Sequence, residues 1–237
     1  MRILALYDIH GNADALEAVL ADPRAAEPDA IVVGGDTAPG PFAREALDRR
    51  EALSVPLHWV RGNGERETAD AAAGDPIDET DALSAAALGA ERSRRLGELP
   101  LTVSVDGVLF CHATPADDME ILTRISSAER WAAALRGVGE RLVVAGHTHQ
   151  QDDRVVDGVR FVNAGSVGLP YEGDGAARWL WVADGVPELR ATAYDAAAAG
   201  ARMLAAGWPD ERSVGAALLD PIAPEVITQL FEERATA

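Results

Sequence analysis

Lysine is absent from this sequence, and cysteine occurs only once. The 21 basic residues are all arginine and are outnumbered by 39 Asp and Glu residues, so the formal net charge is −18. A single cysteine excludes an internal disulfide framework and is typical of a reducing compartment, so we expect a cytoplasmic protein. The acidic balance argues against general nucleic-acid binding, which requires a basic face.

Long apolar runs are missing as well. No run approaches the roughly 20 residues that a membrane helix needs, so we expect no contact with a membrane. The first apolar run begins at Met1, so we expect no signal peptide. With 48% hydrophobic and 25% charged residues, the 237-residue chain has the composition of a single folded domain, 1–237.

Apolar runs and helical segments alternate in the first part of the chain. We predict buried strands at 1–7, 31–33 and 55–60. The helix between the first two is predicted to be capped by Asp14, and the next helix is predicted to begin at Pro41. This β-α-β-α-β order predicts parallel strands joined by right-handed crossovers.

Asp-Gly turns dominate the second part. They predict three hairpins, which pair 101–105 with 108–111, 154–156 with 159–163, and 178–183 with 186–194. A helix at about 126–135 is predicted to lead into a further strand at 142–145. The two parts together predict an α/β protein in which two sheets pack face to face, with helices outside.

Two helical regions lie outside this pattern. Residues 65–100 break the alternation and form a predicted helical insertion, with the strongest helical pattern at 78–96. We interpret the insertion either as a lid or specificity element or as a helix that packs on one sheet. A C-terminal helical tail is predicted at about 195–237, with helices at 194–206 and 224–233.

Polar side chains that can bind metals follow the apolar runs. Asp8 and His10 come two residues apart after the first run, and His147 and His149 have the same spacing after the run at 142–145. In an extended backbone, side chains at i and i+2 point to the same face, so each pair can reach one point beyond the end of a strand.

Three further residues follow apolar runs in the same way: Asp36, Asn63 and His112. Four of the five histidines in the chain therefore lie at strand ends, and only His58, within a predicted strand, fits a packing role. This concentration is hard to explain by scattered core or surface histidines.

The chemistry of these seven residues indicates a metal centre. They are too numerous for one closed tetrahedral zinc site and include no thiolate. Imidazole, carboxylate and amide oxygen together suit a pair of first-row divalent ions, such as Mn, Fe, Co, Ni or Zn, with manganese as our first expectation. A carboxylate can bridge two ions about 3.5–4 Å apart, an arrangement used in phosphoryl displacement. The sequence therefore predicts metal-assisted hydrolysis.

Five motifs in fixed order resemble the calcineurin-like metallophosphoesterase signature. They are Asp8-Ile9-His10-Gly11-Asn12, Gly35-Asp36, Gly62-Asn63, His112 and Gly146-His147-Thr148-His149. The resemblance spans roughly residues 1–170. More narrowly, the sequence is similar to small bacterial and archaeal phosphodiesterases of the YfcE type. The similarity includes the turn Asn163-Ala164-Gly165-Ser166-Val167-Gly168, where the family often has proline instead of Ala164. It implies a four-layer αββα sandwich with two mixed β-sheets and two metals at the strand ends.

The resemblance also implies a role for each ligand. One ion would be held by Asp8, His10, Asp36 and His149, and the other by Asp36, Asn63, His112 and His147. Asp36 would be the bridge, and a hydroxide between the ions would attack phosphorus in line. The implied activity is phosphodiester hydrolysis of a small phosphorylated substrate.

Two alternatives stay open at this point. One is a phosphomonoesterase or dinucleoside-polyphosphate hydrolase that uses the same residues. The other is a non-catalytic metal-binding interaction scaffold, since a retromer subunit with this fold has lost its activity. A scaffold is expected to have lost ligands, whereas all seven are present here.

Gly64 departs from the pattern of the phosphoprotein phosphatases in this superfamily. Those enzymes have a histidine directly after the Gly-Asn motif, and this histidine is their presumed proton donor. General acid catalysis contributes about 10² to 10⁴ in rate, so its loss most affects alkoxide leaving groups. We therefore expect weak protein-phosphatase activity and a preference for diesters or activated leaving groups.

Four residues are candidates for substrate contact. Asn12 directly follows the first motif and could contact phosphate or form a turn. The guanidinium groups of Arg124, Arg61 and Arg66 could each bind a phosphate, although surface ion pairing explains each arginine equally well.

Overall fold

Two five-stranded β-sheets form the centre of the protein, whose computed structural model describes residues 1–208 and 214–236. The first sheet has the order β10-β9-β1-β2-β3 and the second has the order β4-β5-β6-β8-β7. The strands are β1 (Arg2–Leu6), β2 (Ala30–Val33), β3 (Leu57–Trp59), β4 (Thr102–Val105), β5 (Val108–Cys111), β6 (Leu142–Ala145), β7 (Asp152–Val156), β8 (Val159–Asn163), β9 (Ala177–Ala183) and β10 (Val186–Thr192).

Helices cover the outer faces of both sheets. In chain order they are α1 (Ala13–Ala21), α2 (Ala43–Glu51), α3 (Asn63–Ala72), α4 (Glu79–Leu88), α5 (Ala90–Gly97), α6 (Ala128–Ala134), α7 (Ala196–Ala205), α8 (Val214–Leu219) and α9 (Pro224–Ala235). Within the described ranges, none of the helices combines the length and the apolar character needed to span a membrane.

The main core lies between the two sheets. Ile3 and Val32 from the first sheet pack with Phe110, Val144 and Val162 from the second, and all five are almost fully buried. Separate clusters join each sheet to its helices: Leu4 and Leu6 of β1 face Leu16 and Val19 of α1, and Phe161 of β8 contacts Trp131 of α6. The predicted four-layer αββα sandwich with two mixed sheets is therefore confirmed.

Strand pairing confirms the parallel arrangement of β1, β2 and β3. The third hairpin, however, does not join the same sheet as the other two hairpins. Strand β9 pairs antiparallel with β1, so the β9–β10 hairpin completes the first sheet. The division of the chain into one half per sheet was too simple, because β1 has two edges and β2 occupies only one of them.

Local differences from the sequence predictions concern helix ends. The N-cap of helix α1 lies two residues earlier than predicted: Asn12, not Asp14, is the cap and accepts the Ala15 N–H. Helix α2 begins at Ala43 rather than at Pro41. The insertion contains three helices, and the first of them, α3, begins at Asn63. The short helix α8 was not predicted, and residues 209–213 and 237 of the predicted tail lie outside the described residues.

Candidate metal centre

The chain turns sharply after the strands that carry the predicted ligands. Asp8, His10, Asp36, His147 and His149 all have left-handed backbone conformations, with φ between 47° and 67°. This conformation is uncommon for residues other than glycine. Five such residues at the carboxyl ends of three parallel strands direct their side chains toward one place, where the surrounding structure holds the strained backbone.

Three of the predicted ligands form a first group. His10 Nε2 lies 3.1 Å from His149 Nε2, and Asp8 Oδ1 lies 3.3 Å from His149 Nε2. Ligand atoms of these three residues all lie within 4.8 Å of one another. Asp8 is fully buried and His149 is 6% exposed, so the group is shielded from bulk water.

Asn63, His112 and His147 form a second group. His112 Nε2 lies 3.2 Å from Asn63 Oδ1 and 3.2 Å from His147 Nδ1. The carboxylate of Asp36 lies between the groups, with Oδ2 3.8 Å from His10 Nε2 and 3.5 Å from His112 Nε2. Asp8 Oδ1 also faces His112 Nε2, at 3.9 Å. The structure thus brings all seven predicted ligands together in two adjoining groups with carboxylates between them.

Backbone carbonyls fix the tautomers of three histidines. The Nδ1 atoms of His112 and His149 lie 3.0 and 2.8 Å from the carbonyl oxygens of Gly34 and Leu169, and His147 Nε2 lies 3.2 Å from that of Met119. A carbonyl accepts only, so these nitrogens must donate. In the neutral ring the other nitrogen then presents its lone pair to the centre, as metal ligation requires.

The donor set fits divalent ions. Asp8 Oδ1 is buried, and among the described residues it has no hydrogen-bond partner. His149 donates through Nδ1, so in the neutral ring its Nε2 presents a lone pair to His10 Nε2, 3.1 Å away, and either a proton on His10 or a cation must satisfy it. A carboxylate oxygen without a donor and converging lone pairs are the expected arrangement for imidazole and carboxylate ligands of a metal.

Electrostatics in the cluster favours positive charge. Burial works against the charged form of Asp36, but the neighbouring His112 outweighs it and lowers the pKa of Asp36. Burial would lower the pKa of His112, but Asp36 and Asp8 raise it to about 10. Burial lowers the pKa of His147 to about 4, so this ring is neutral at pH 7 and available as a ligand.

Glycines let the loops approach the ligands. A Cβ atom on Gly62 would lie 2.2 Å from Asp36 Oδ1, and one on Gly146 would lie 2.3 Å from Asp8 Oδ2. Both distances are too short for any side chain, which explains why glycine precedes Asn63 and His147 in the motifs.

The sequence analysis missed Glu65, which organises the loop that carries Asp36. Its buried carboxylate accepts the backbone N–H groups of Asp36 and Thr37 at 2.7 Å and of Gly62 at 3.0 Å. A glutamate three residues after a helix N-cap is a recognised capping signal, and this signal could have indicated the role of Glu65.

The turn after β8 supports the loop at 146–151, which carries His147 and His149 and is called the histidine loop below. Asn163 donates its amide to the Gly146 carbonyl at 2.6 Å and to Thr148 Oγ1 at 3.0 Å. Ser166 donates its hydroxyl to the Asp8 carbonyl at 2.7 Å and accepts the Leu169 N–H at 2.7 Å. This turn therefore joins the two ends of the metal cluster.

Two of the four substrate candidates are occupied elsewhere. Asn12 is fully buried; besides capping α1, its amide donates to the Gly168 carbonyl and to Tyr194 Oη at 2.9 and 3.0 Å. Its side chain therefore has the turn role that the sequence left open. Arg124 donates to the Gln151 carbonyl and to Glu172.

Arg61 and Arg66 lie at the rim of the cluster. Both guanidinium groups contact Asp118, at 3.3 Å and 3.1 Å. The next residue, Met119, holds His147 through its carbonyl. Their contact with substrate stays a prediction.

Gly64 lies where the phosphoprotein phosphatases have their histidine, and the structure leaves no room for a side chain there. A Cβ atom on Gly64 would lie 2.1 Å from the Ala38 carbonyl oxygen and 2.7 Å from Pro39 Cδ. The Gly64 N–H also donates to Asp36 Oδ1 at 2.8 Å. The loop after β2 therefore packs directly on this glycine.

Two mixed sheets in four layers, with carboxylates and imidazoles gathered at the strand ends, are the architecture of a metallophosphoesterase. A family model described as the calcineurin-like phosphoesterase superfamily domain matches residues 1–182. The chain belongs to this superfamily, as its sequence motifs predicted. Phosphoesterases of this superfamily depend on metal ions, and the residues gathered here are candidate ligands.

The chain is also similar to several solved structures. A metallophosphoesterase from Sphaerobacter thermophilus is 25% identical, with a TM-score of 0.75, and the match covers 94% of this chain and 99% of that chain. The hypothetical protein PH1004 from Pyrococcus horikoshii OT3 is 20% identical, with a TM-score of 0.78 and the same coverage. The E. coli phosphoesterase YfcE is 19% identical, with a TM-score of 0.49, over 79% of this chain and 91% of that chain. A search of curated protein sequences finds no match.

Proposed function

We propose that this protein is a phosphodiesterase that binds two divalent metal ions and hydrolyses small phosphorylated molecules in the cytoplasm. The observation that carries the proposal is the position of Asp36 Oδ2, which lies between the His10 side of the cluster and the His112 side. Seven ligands shared by two adjoining sites are more than one ion needs. Manganese is our first candidate, and Fe, Co, Ni and Zn suit the same ligands.

Each group of residues has a defined task in this proposal. Asp8, His10 and His149 would hold one ion, Asn63, His112 and His147 would hold the other, and Asp36 would contact both. When bound, such ions polarise phosphoryl oxygens and make water a better nucleophile. The protein's own contribution is to fix the ligands through Glu65, Asn163 and Ser166, because preorganised groups avoid the cost of reorientation during reaction.

The substrate preference follows from Gly64. Because residue 64 is a glycine, the protein lacks the histidine that protonates a departing alkoxide from this position in the phosphoprotein phosphatases. Diesters with good leaving groups need this proton least. We therefore propose aryl and comparable phosphodiesters, rather than phosphoserine in proteins, as the better substrates.

The test combines metal analysis with kinetics. The proposal predicts two ions per chain by inductively coupled plasma mass spectrometry and manganese-dependent hydrolysis of bis(p-nitrophenyl) phosphate. It also predicts that Asp36→Asn removes most of the activity and lowers the metal content. Faster turnover of a phosphoserine peptide than of the aryl diester would contradict the diesterase assignment.

The same assays separate the alternatives. Faster hydrolysis of p-nitrophenyl phosphate than of the diester would favour a phosphomonoesterase, and faster hydrolysis of a dinucleoside polyphosphate would favour a dinucleoside-polyphosphate hydrolase. Bound metal without turnover of any of these compounds would favour the scaffold.

We also propose that the whole chain, 1–237, forms one domain that supports this activity. Helix α9, which lies beyond the matched family domain, contacts the histidine loop: Thr228 donates to Gln150 Oε1 at 2.7 Å.

A further inference from the structure

Helix α3 places Glu67 beside the candidate ligand Asn63. The two residues are four apart on the helix, and Asn63 Nδ2 donates to Glu67 Oε2 at 3.2 Å. An ionised carboxylate only accepts hydrogen bonds, so it attracts the NH₂ end of the amide. The oxygen end, Oδ1, then lies 3.2 Å from His112 Nε2. An amide turned the other way would present NH₂ to the cluster, and this group has no lone pair for a metal ion.

The preceding residue, Arg66, joins α3 to the loop after β5. Its Nε donates to Asp118 Oδ2 at 3.2 Å, and its Nη2 donates to Oδ1 at 3.1 Å. Arg61 Nη2 lies 3.3 Å from the same carboxylate, which is 7% exposed. A bidentate pair fixes direction as well as distance, so Arg66 holds this loop in one position relative to α3.

The loop held through Asp118 carries the contact that orients His147. Met119 follows Asp118 directly, and its carbonyl oxygen lies 3.2 Å from His147 Nε2. The Met119 N–H donates to Asp117 Oδ1 at 2.6 Å, which fixes the peptide within the loop. His147 therefore donates through Nε2 and presents Nδ1 to the cluster. The place of this carbonyl depends on where Arg66 holds the loop.

These contacts close into a ring around the second group of candidate ligands. Arg66 Nη2 lies 3.6 Å from Glu67 Oε1, and this contact joins the two halves of the ring. The members in order are Asn63, Glu67, Arg66, Asp118, Met119, His147 and His112, which returns to Asn63. Two of them, Arg66 and Glu67, belong to the insertion at 65–100.

The first group is held by a different part of the chain. The Leu169 carbonyl accepts from His149 Nδ1, and Ser166 donates to the Asp8 carbonyl at 2.7 Å. Leu169 and Ser166 both belong to the segment between β8 and β9. A change in α3 therefore acts directly on the second group and not on these contacts of the first.

We propose that Glu67 and Arg66 are positioning residues for the ion of the second group, and that the insertion thereby sets the affinity for this ion separately from that for the first. The inference rests on the proposed two-ion phosphodiesterase. Residues that orient ligands typically change metal affinity about 10- to 100-fold. The insertion thus has a role in metal binding, besides the two roles considered from its sequence.

The test is a titration of the metal-free protein with Mn²⁺, followed by calorimetry and electron paramagnetic resonance. Two adjacent Mn²⁺ ions couple magnetically, whereas a single bound ion gives the spectrum of an isolated spin. We expect Glu67→Ala to weaken one of the two ions about 10- to 100-fold and to leave the other unchanged. The isolated spectrum should then appear at an Mn²⁺ concentration just sufficient to fill both sites of the wild type.

Matched variants separate orientation from loss of charge. Asp70→Ala removes an exposed carboxylate from the same helix and should bind both ions like the wild type. Glu67→Gln keeps an acceptor oxygen for Asn63, so it should recover most of the affinity that Glu67→Ala loses. Arg66→Ala should weaken the same ion as Glu67→Ala, and Arg95→Ala, an exposed arginine of α5, is its control.

A double-mutant cycle identifies the ion that is affected. In an Asn63→Ala background the amide that Glu67 orients is missing, so Glu67→Ala should have little further effect on Mn²⁺ binding. In a His10→Ala background, which weakens the ion of the first group, Glu67→Ala should still lower the affinity for the remaining ion by its full factor. A general loss of structure would give the same effect in both backgrounds.

Each result has a defined meaning. A loss that is confined to one ion, recovered in Glu67→Gln and absent in the Asn63→Ala background supports the inference. Unchanged binding in Glu67→Ala, equal weakening of both ions, or a loss that persists in the Asn63→Ala background overturns it, while the proposed phosphodiesterase function stands. A wild type that binds fewer than two Mn²⁺ ions overturns the proposed two-ion site, and this inference with it.

Discussion

Glu65 Oε2 accepts the backbone N–H of Asp36 at 2.7 Å, and through this contact a buried side chain outside the ligand set fixes the carboxylate between the two groups. The other oxygen, Oε1, accepts the Thr37 N–H, also at 2.7 Å. Both carboxylate oxygens are occupied, because Oε2 also accepts the Gly62 N–H at 3.0 Å.

Replacing Glu65 by Gln should therefore weaken metal binding. An amide offers one acceptor oxygen and would turn its NH₂ group toward a backbone donor. Substitutions of residues that orient ligands cost about 10- to 100-fold in metal affinity, and we expect a loss in this range. Titration of the metal-free protein with Mn²⁺ measures it. Glu91→Gln, on the exposed side of α5, is the control, and equal affinities for the two variants would contradict the role of Glu65.

Gly64 should tolerate no side chain. We expect Gly64→Ala to destabilise the protein by about 1–3 kcal/mol, because the added methyl group overlaps the loop at Ala38 and Pro39. Gly64→His should lose metal rather than gain phosphatase activity. Denaturant unfolding and metal analysis check these results. Gly139→Ala is the control, since a Cβ there meets nothing within 4 Å. A stable Gly64→His variant with full metal content would show that our account of the packing is wrong.

Helix α9 should stabilise the histidine loop. The buried Thr228 hydroxyl donates to Gln150, and Phe231 packs against Tyr171, whose ring stacks on His149. Thr228→Val should lower the free energy of unfolding by about 1–2 kcal/mol, because a buried acceptor on Gln150 loses its donor. It should also weaken Mn²⁺ binding.

The matched variant for this helix is Thr236→Val. That hydroxyl is exposed, and within the described part of the chain it donates only to carbonyls of its own helix. In denaturant unfolding and Mn²⁺ titration, Thr236→Val should behave like the wild type. If Thr228→Val also matched the wild type in both measurements, α9 would not stabilise the histidine loop.

Asp22 should make stability depend on pH in the acidic range. The Arg24 guanidinium donates to its carboxylate, and with Thr192 it holds the pKa of Asp22 below the ordinary 3.8. A lowered pKa in the folded state means that the ionised group stabilises the fold above about pH 4. This contribution is lost as the pH falls below 3.8 toward the lower folded-state value.

The measurement compares wild type with Asp22→Asn. At pH 7 we expect the variant to be less stable by about 0.5–1 kcal/mol, the usual size of an ion pair with an exposed arginine, and the difference should shrink steadily below pH 4. Asp75→Asn, on an exposed loop, should show no such trend. A difference that stayed constant from pH 7 to pH 2.5 would rule out this linkage.

The burial of Cys111 should make its thiol inert. Burial raises the pKa of Cys111 above its usual value, and the side chain has no exposure to solvent. Because the thiolate is the reactive form, Ellman's reagent should label the native protein far more slowly than the protein in guanidinium chloride. Rapid labelling of the native protein would contradict this burial.

The metal ligands could be predicted from sequence because their positions follow a local rule. Asp8, Asp36 and His112 each lie within three residues of the end of an apolar strand, and parallel strands end at the same edge of a sheet. The parallel strands β1, β2 and β3 could be predicted from their alternation with helices, whereas the parallel pairs β5–β6 and β6–β8 were not predicted.

Contacts between distant segments could not be read in this way. The pairing of Arg61 and Arg66 with Asp118 depends on how α3 lies against the loop after β5, and no periodicity encodes that placement. The same holds for β9, whose partner β1 lies about 175 residues earlier in the chain. For Asn12, a helix-capping role and a phosphate-binding role predict the same sequence pattern. Only its three hydrogen bonds in the structure distinguish them.

The position of β1 in its sheet bears on how the chain matures on the ribosome. While residues 177–183 are still being translated, β1 can pair with β2 alone and its second edge stays open. The strand that precedes Asp8 and His10 is therefore paired on both edges only after β9, in the last third of the chain, has been made. We therefore expect β1 to be enclosed only late in synthesis, and a nascent chain stalled before that point to have a strand edge exposed to its neighbours.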